Sequence, residues 1–188
     1  MLLKNLATLV GLISFFVGSN SYAMQACGKV IGTYELNGRT VDVYSNGEYT
    51  GTGKSCADAA ANRYGYKYQA NEFVNRYLGT VYGAPMLRVH AKDFLTAAAR
   101  YPSDYQVIAN TGTLPEAGDV IVFGGGAYGL VGVVSEVNVE TGAVTLFHQN
   151  VIIHGIAVAQ GEVRFNKVSN IVDSYLRMPT LGFIRVKN

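Results

Sequence analysis

Apolar and polar residues change rhythm twice along this chain. Between residues 30 and 44, Tyr34, Leu36, Val41 and Val43 alternate with polar neighbours around Asn37-Gly38. Both turn residues accept positive φ, so the stretch predicts a two-residue β-hairpin. Asn46-Gly47 offers a second tip of the same kind. From residue 66 the spacing becomes helical. Ala70, Phe73, Val74, Tyr77 and Leu78 fall on one stripe, which predicts a buried helix within residues 66–78 with Asn75 and Arg76 on its opposite, polar face. Residues 79–85 read as a turn region. Residues 89–100, with Phe94-Leu95 and Ala97-Ala98-Ala99, predict a second helix packed against a sheet and closed by Pro102. After residue 115 the β rhythm returns. A turn at 114–119 leads into a buried β-branched run at 120–123, then strands at 131–139, 143–147 and 182–186, with Glu140-Thr141-Gly142 as a turn. Gly124-Gly125-Gly126 could cradle a phosphate, but no helix signal and no Lys-Ser/Thr pair follows, so it reads as a strand connection. Helices early and antiparallel strands late predict an α+β domain.

The first residues add an address. Lys4 precedes an uncharged apolar run at residues 6–17, and Ser21-Tyr22-Ala23 supplies the small residues of a cleavage site. Residues 1–23 are therefore expected to be a secretory signal peptide, with an uncleaved N-terminal anchor as the alternative. The run is short for a membrane span, and no later stretch is long and apolar enough to cross a bilayer. A lipobox ending at Ala26-Cys27 is a further alternative, although Met24 and Gln25 fit it poorly. The expected location is exported, periplasmic or associated with an outer membrane.

Charge narrows the partners. A net charge of +2, part of it lost with Lys4, gives no reason to expect nucleic acid. The chain has two cysteines, and in an oxidising compartment the economical arrangement is one disulfide, Cys27–Cys56. It would tie an N-terminal arm (residues 24–36) to a single domain (residues 37–188). Closing such a loop stabilises a fold by about 3–4 kcal/mol in the chain-entropy model. Cys56 as a displaced nucleophile is the weaker reading, because it lies in a Gly/Ser/Thr-rich loop fourteen residues before position 70.

The predicted first helix carries a motif, Tyr68-Gln69-Ala70-Asn71-Glu72-Phe73-Val74-Asn75-Arg76-Tyr77. Its residue order resembles the nucleophile helix of the CHAP family (cysteine, histidine-dependent amidohydrolases and peptidases), in which a cysteine at the helix start attacks an amide, usually in peptidoglycan. The second half extends the likeness. Gly118-Asp119-Val120-Ile121-Val122-Phe123 and Gly129-Leu130-Val131-Gly132-Val133-Val134 resemble the family's Gly-Asp strand and its histidine strand. His148-Gln149-Asn150 stands where members often have Glu-Gln-Asn, and Leu181-Gly182-Phe183-Ile184-Arg185-Val186 resembles the closing strand. The resemblance runs from about Asn37 to Val186. It implies a papain-like (NlpC/P60-like) fold, with N-terminal helices packed on an antiparallel sheet.

The resemblance also implies that the chemistry has gone. A cysteine–histidine hydrolase needs a thiolate, a base to make it and a group to orient the base. Ala70 stands in the nucleophile slot, Leu130 in the base slot and His148 in the acid slot, with Asn150 retained. An engineered Cys→Ala trap would account for Ala70 alone, so three departures point to a natural pseudoenzyme. The old substrate groove is expected to be lined by Tyr68, Gln69, Asn71, His148 and Asn150. No cofactor is expected. Zinc on His148 and His154 lacks a third ligand; Glu72 and Asp93 have no spacing that makes them a catalytic pair, and Glu72 matches a position of structural use. His90 reads as a surface or capping residue.

Three functions follow as expectations. The preferred one is an inactive accessory or structural subunit of a bacterial envelope assembly, such as a secretion-system core at the outer membrane. It draws on the emptied site, the export signal and a composition that is 49% hydrophobic with only 15% charged residues. The second is a peptidoglycan-binding module that uses the old groove. The third is an amidase or endopeptidase with an unorthodox site.

Overall fold

A computed structural model of the protein describes residues 26–47, 56 and 61–187. The expected signal peptide lies outside the described residues. The Asn37-Gly38 turn joins β1 (Val30–Leu36) to β2 (Arg39–Tyr44), with Leu36 opposite Arg39 and Tyr34 opposite Val41. Asn37 and Gly38 sit at φ 53° and 70°, the left-handed values that this turn requires. Residues 30–36 do not hang free as an arm. Tyr34 is buried, its hydroxyl donates to the Val134 carbonyl at 3.2 Å, and its ring meets those of Tyr77 and Phe147. Cys27 and Cys56 form the expected disulfide, with Cα atoms 6.1 Å apart. That bond leaves neither thiol for a lipid or for nucleophilic attack.

Two short strands, β3 (Ala61–Asn62) and β4 (Gly65–Tyr66), precede α1 (Ala70–Tyr77). The helix widens into a π turn over Leu78–Tyr82 and stops at Gly83, φ 68°. Phe73, Val74, Tyr77 and Leu78 are fully buried, as their spacing predicts. Each such side chain stabilises the fold by about 1.5–3 kcal/mol relative to exposure. The polar face of α1, however, is also covered. Asn75 is 1% exposed; its amide donates to the carbonyls of Tyr64 and Leu87 and its oxygen accepts from Leu87 N–H. Asn75 thus anchors the loops that run over the helix, and Arg76 ties it to Asp42 of β2.

The second predicted helix is shorter than its pattern. A 3-10 turn at Ala91–Asp93 leads into α2, Phe94–Ala98. The remaining strands are β5 (Tyr105–Ala109), β6 (Val120–Phe123), β7 (Leu130–Asn138), β8 (Ala143–Ile153), β9 (Ile156–Arg164) and β10 (Thr180–Val186). They form one antiparallel sheet in the order β5-β10-β6-β7-β8-β9. All four residues of β6 are buried, because α1 and α2 cover one side of the sheet region and the loop after β9 covers the other. Arg185 on β10 holds Asp119 at the head of β6 through two bonds of 2.9 and 2.8 Å, fixing the strand that leads into the glycine loop. The observed class is a mixed helix and sheet domain with antiparallel strands.

Candidate functional site

The start of α1 is pinned by β8. Between Phe147 and Val151 the β8–β9 ladder is interrupted by a bulge, and Asn150 takes φ 63°. From this bulge Gln149 donates its amide to the Gln69 carbonyl at 3.1 Å and to Glu72 Oε2 at 3.0 Å, and Asn150 donates to Gln69 Oε1 at 2.7 Å. Gln69 is the residue just before α1 (φ −87°, ψ 155°), so these bonds place Ala70 at the first helical position. Below it, Glu72 (1% exposed) pairs with Arg76 at 2.9 Å and accepts from Asn62. Arg76 also donates to the Asp42 carbonyl at 2.7 Å and lies over the Tyr44 ring. Glu72 is therefore a structural anion. Asp93 lies apart from it, at the end of the 3-10 turn, and is exposed.

In front of this helix end lies an open groove of about 760 Å³. Ala70 and Leu130, the expected nucleophile and base positions, both line it, with Gln69, Asn71 and Asn150. Its remaining walls are ones the sequence reading missed: Tyr66, the His90-Ala91 corner, the loop Gly125–Gly129, Val151-Ile152, and Leu176 with Met178. The loop is drawn close to the 3-10 turn by a bond from Lys92 N–H to the Tyr128 carbonyl at 3.0 Å. Gly129 has to be glycine there, since its φ is 70° and a Cβ would come within 2.8 Å of the Lys92 nitrogen. His90 precedes the turn as expected but makes no capping bond with its side chain; its ring meets Tyr128 edge-on at 5.0 Å.

Two residues expected in the groove are elsewhere. Tyr68 sits at φ 67°, which turns its side chain away to pack on Tyr44 and under Gly28. Tyr66, two residues earlier, takes the groove position. His148 is fully buried and is not a groove residue. It lies between Phe147 and Gln149, both of which serve the helix side, so strand alternation sends it to the other side. There its Nε2 is 2.8 Å from the Tyr175 hydroxyl, while Nδ1 meets only its own main chain. Burial holds the imidazole pKa down to about 4 and pushes the Tyr175 phenol up. A neutral imidazole is thus sealed behind the groove floor. His154 forms the turn between β8 and β9 with Gly155, at φ 51° and 79°.

Chemically, the described groove residues include no cysteine, serine, threonine or carboxylate, and His90 is their only imidazole. His90 meets the Tyr128 ring edge-on at 5.0 Å but makes no hydrogen bond to its hydroxyl, the contact that activation of a nucleophile by a base needs.

A search of curated proteins finds no match to this chain. The family model for the CHAP domain matches residues 43–150, more than half of the chain, from within β2 to the β8 bulge. The matched stretch contains Ala70, Leu130, His148 and Asn150, whereas the closing strand β10 lies beyond it. With the helix start, the Gly-Asp strand and the histidine strand all inside the matched residues, the chain belongs to the CHAP domain family.

Proposed function

We propose that this chain is a non-hydrolytic CHAP domain, with the papain-like disposition of helix end against strands, that is exported and serves as an accessory or structural subunit of a bacterial cell-envelope assembly. A secretion-system core at the outer membrane is the kind of assembly such a subunit suits. One observation carries the reading: Ala70 and Leu130 meet in the same open groove, and the groove residues around them supply neither nucleophile nor carboxylate. The Cys27–Cys56 disulfide agrees with an oxidising compartment. Incubating the protein at high concentration with purified sacculi is expected to release no muropeptides, and the protein captured from solubilised envelopes is expected to run in a large complex with fixed partners. Soluble muropeptide products would sink the inactive reading; a free monomer in native extracts would sink the assembly.

A second reading, a peptidoglycan-binding module, is favoured by the fact that the groove stays open and presents the amides of Gln69, Asn71 and Asn150. Co-sedimentation with sacculi separates the two.

A further inference from the structure

A second concavity, of about 330 Å³, lies between residues 85–89 and the end of α2. Its floor is apolar: Leu87 and Ala97 are buried, and Met86 and Val89 are half-buried. Arg88, Arg100 and Tyr101, all exposed, complete the lining. The two walls are tied together, because the buried Tyr105 donates its hydroxyl to the Pro85 carbonyl and meets the Tyr101 ring edge-on at 6.4 Å. The 85–89 wall is fixed residue by residue. Leu87 is bonded through both its N–H and its carbonyl to the buried Asn75, and the Val89 carbonyl accepts from Asn71. Val89 N–H closes a three-residue turn on the Leu87 carbonyl at 3.0 Å. Arg88 is the centre of that turn, so its backbone is held on both sides.

The cleft is positive, and its donors are open. No aspartate or glutamate lines it, and neither arginine joins an ion pair among the described residues. Arg88 uses one of its five N–H groups, on the Arg63 carbonyl at 3.0 Å, and Arg100 makes no side-chain bond among the described residues. The flanks have the same sign. Arg63 adjoins Arg88 through that bond, and Lys187 donates to the carbonyl of Pro102, next to Tyr101, at 2.8 Å. Of the acids nearby in the chain, Asp93 stands at the opposite end of α2 and Asp104 accepts from Ser103; neither reaches the wall. The carbonyls that would repel an anion are already occupied. Those of Pro85, Leu87 and Val89 accept from Tyr105, Asn75 and Asn71, and those of Ala97 and Ala98 from the N–H groups of Arg100 and Tyr101.

We infer that this cleft docks an acidic peptide segment of a partner protein, with a carboxylate side chain on Arg88 and Arg100 and an adjoining aliphatic side chain on the floor. In naming a protein as the ligand, the inference rests on the reading of the chain as a subunit of an assembly. Guanidinium forks match the geometry of a carboxylate. Opposite charge at an exposed rim sets encounter and register more than affinity, and burial of the aliphatic side chain against Met86, Leu87, Val89 and Ala97 supplies the remainder. The volume stands at the lower end of the ~300–1,000 Å³ of sites that take compact ligands, room for one or two side chains rather than a domain. A bare phosphate would satisfy the guanidinium groups and leave the floor uncovered.

The test titrates the protein with three probes, read by backbone amide NMR shifts. They are an end-blocked peptide in which two glutamates flank a leucine, the same peptide with glutamines in place of the glutamates, and inorganic phosphate. The acidic peptide is expected to give saturable shifts at residues 86–89 and 97–101, and the other two probes to bind there about tenfold more weakly or less. Arg88→Gln and Arg100→Gln, on exposed side chains whose removal leaves no buried partner, are each expected to weaken the acidic peptide by about fivefold or more. Four results would each overturn the inference: no saturable binding of the acidic peptide, shifts at groove residues 70, 130 and 150–152 instead, equally tight binding of phosphate or of the glutamine peptide, and binding indifferent to both variants. The underlying reading fails on different results, the release of muropeptides from sacculi or a free monomer in native extracts.

Discussion

The two sides of the α1 N-terminus hold opposite chemistry. On the groove side, Ala70 and Leu130 stand in an uncharged, water-facing concavity. On the buried side, one turn along the same helix, Glu72 and Arg76 form a closely bonded polar cluster with Gln149 of β8. In this chain Ala70 and Leu130 face the groove, while the side chains that aim the helix at β8 are present with their partners in place. The groups beneath Ala70 cannot be changed singly without leaving a buried partner unsatisfied.

The sharpest way to break this comparison is Glu72→Ala. It leaves the largely buried Arg76 without its anion and removes one of the two acceptors of the Gln149 amide, and is expected to destabilise the protein by about 3–5 kcal/mol in denaturant unfolding. A loss below ~1 kcal/mol would mean that the cluster is not the scaffold described above.

Next in size is the pH dependence set by His148. Its folded pKa of about 4 lies below the ordinary 6.5, so the unfolded chain binds more protons between those values. Stability is therefore full above pH 6.5 and falls as the pH drops towards 4, by an amount on the order of 3 kcal/mol. Carboxylates also titrate towards the acid end, so the contribution of the histidine is the difference between the wild type and His148→Gln. The variant is expected to show a flatter profile between pH 6.5 and 4; superimposable profiles would place His148 in water.

The smallest effect belongs to the groove. Leu176→Asn relieves the left-handed leucine at a side chain that is already half exposed, and is expected to raise stability by about 0.5–1 kcal/mol, read as a higher thermal midpoint. A stabilised variant would show that the left-handed leucine is strained. A destabilised one would assign Leu176 to the core.

Much of the fold was legible along the chain. The Asn37-Gly38 hairpin, the apolar stripe of α1, and the strands at β6, β7 and β10 follow local rules of turn chemistry and periodicity, and these elements came out within one or two residues. The misses share a cause. His148-Gln149-Asn150 reads as a polar strand end, yet β8 continues to Ile153, because Tyr175 and the Glu72 cluster receive those side chains. Likewise β5 and β9 carry no clean alternation; their partners in the sheet, β10 and β8, define them. For α2, the pattern covered residues 89–100, but the chain first makes a 3-10 turn at Ala91–Asp93, tied to the glycine loop by Lys92.

The groove shows the same division residue by residue. Gln69, Ala70, Asn71, Leu130 and Asn150 were named from the motif order, and the structure brings these five together. Tyr68 and His148 were named with them and are elsewhere, one because a left-handed backbone turns it away, the other because strand alternation sends it behind the floor. Nothing in the local pattern marked His90, Tyr128, Leu176 or Met178, which arrive from three separate loops.

By itself, then, the sequence determined which residues stand at the motif positions and which segments become helix or strand, since residue identity and short-range periodicity act within a few positions of the chain. Only the tertiary structure decided that Asn75 and His148 would be buried, and that Ala70 and Leu130 would meet in an open groove without charged walls. Burial and charge balance are properties of surfaces assembled from segments as far apart as Tyr66 and Met178, and they come into being only when those segments meet.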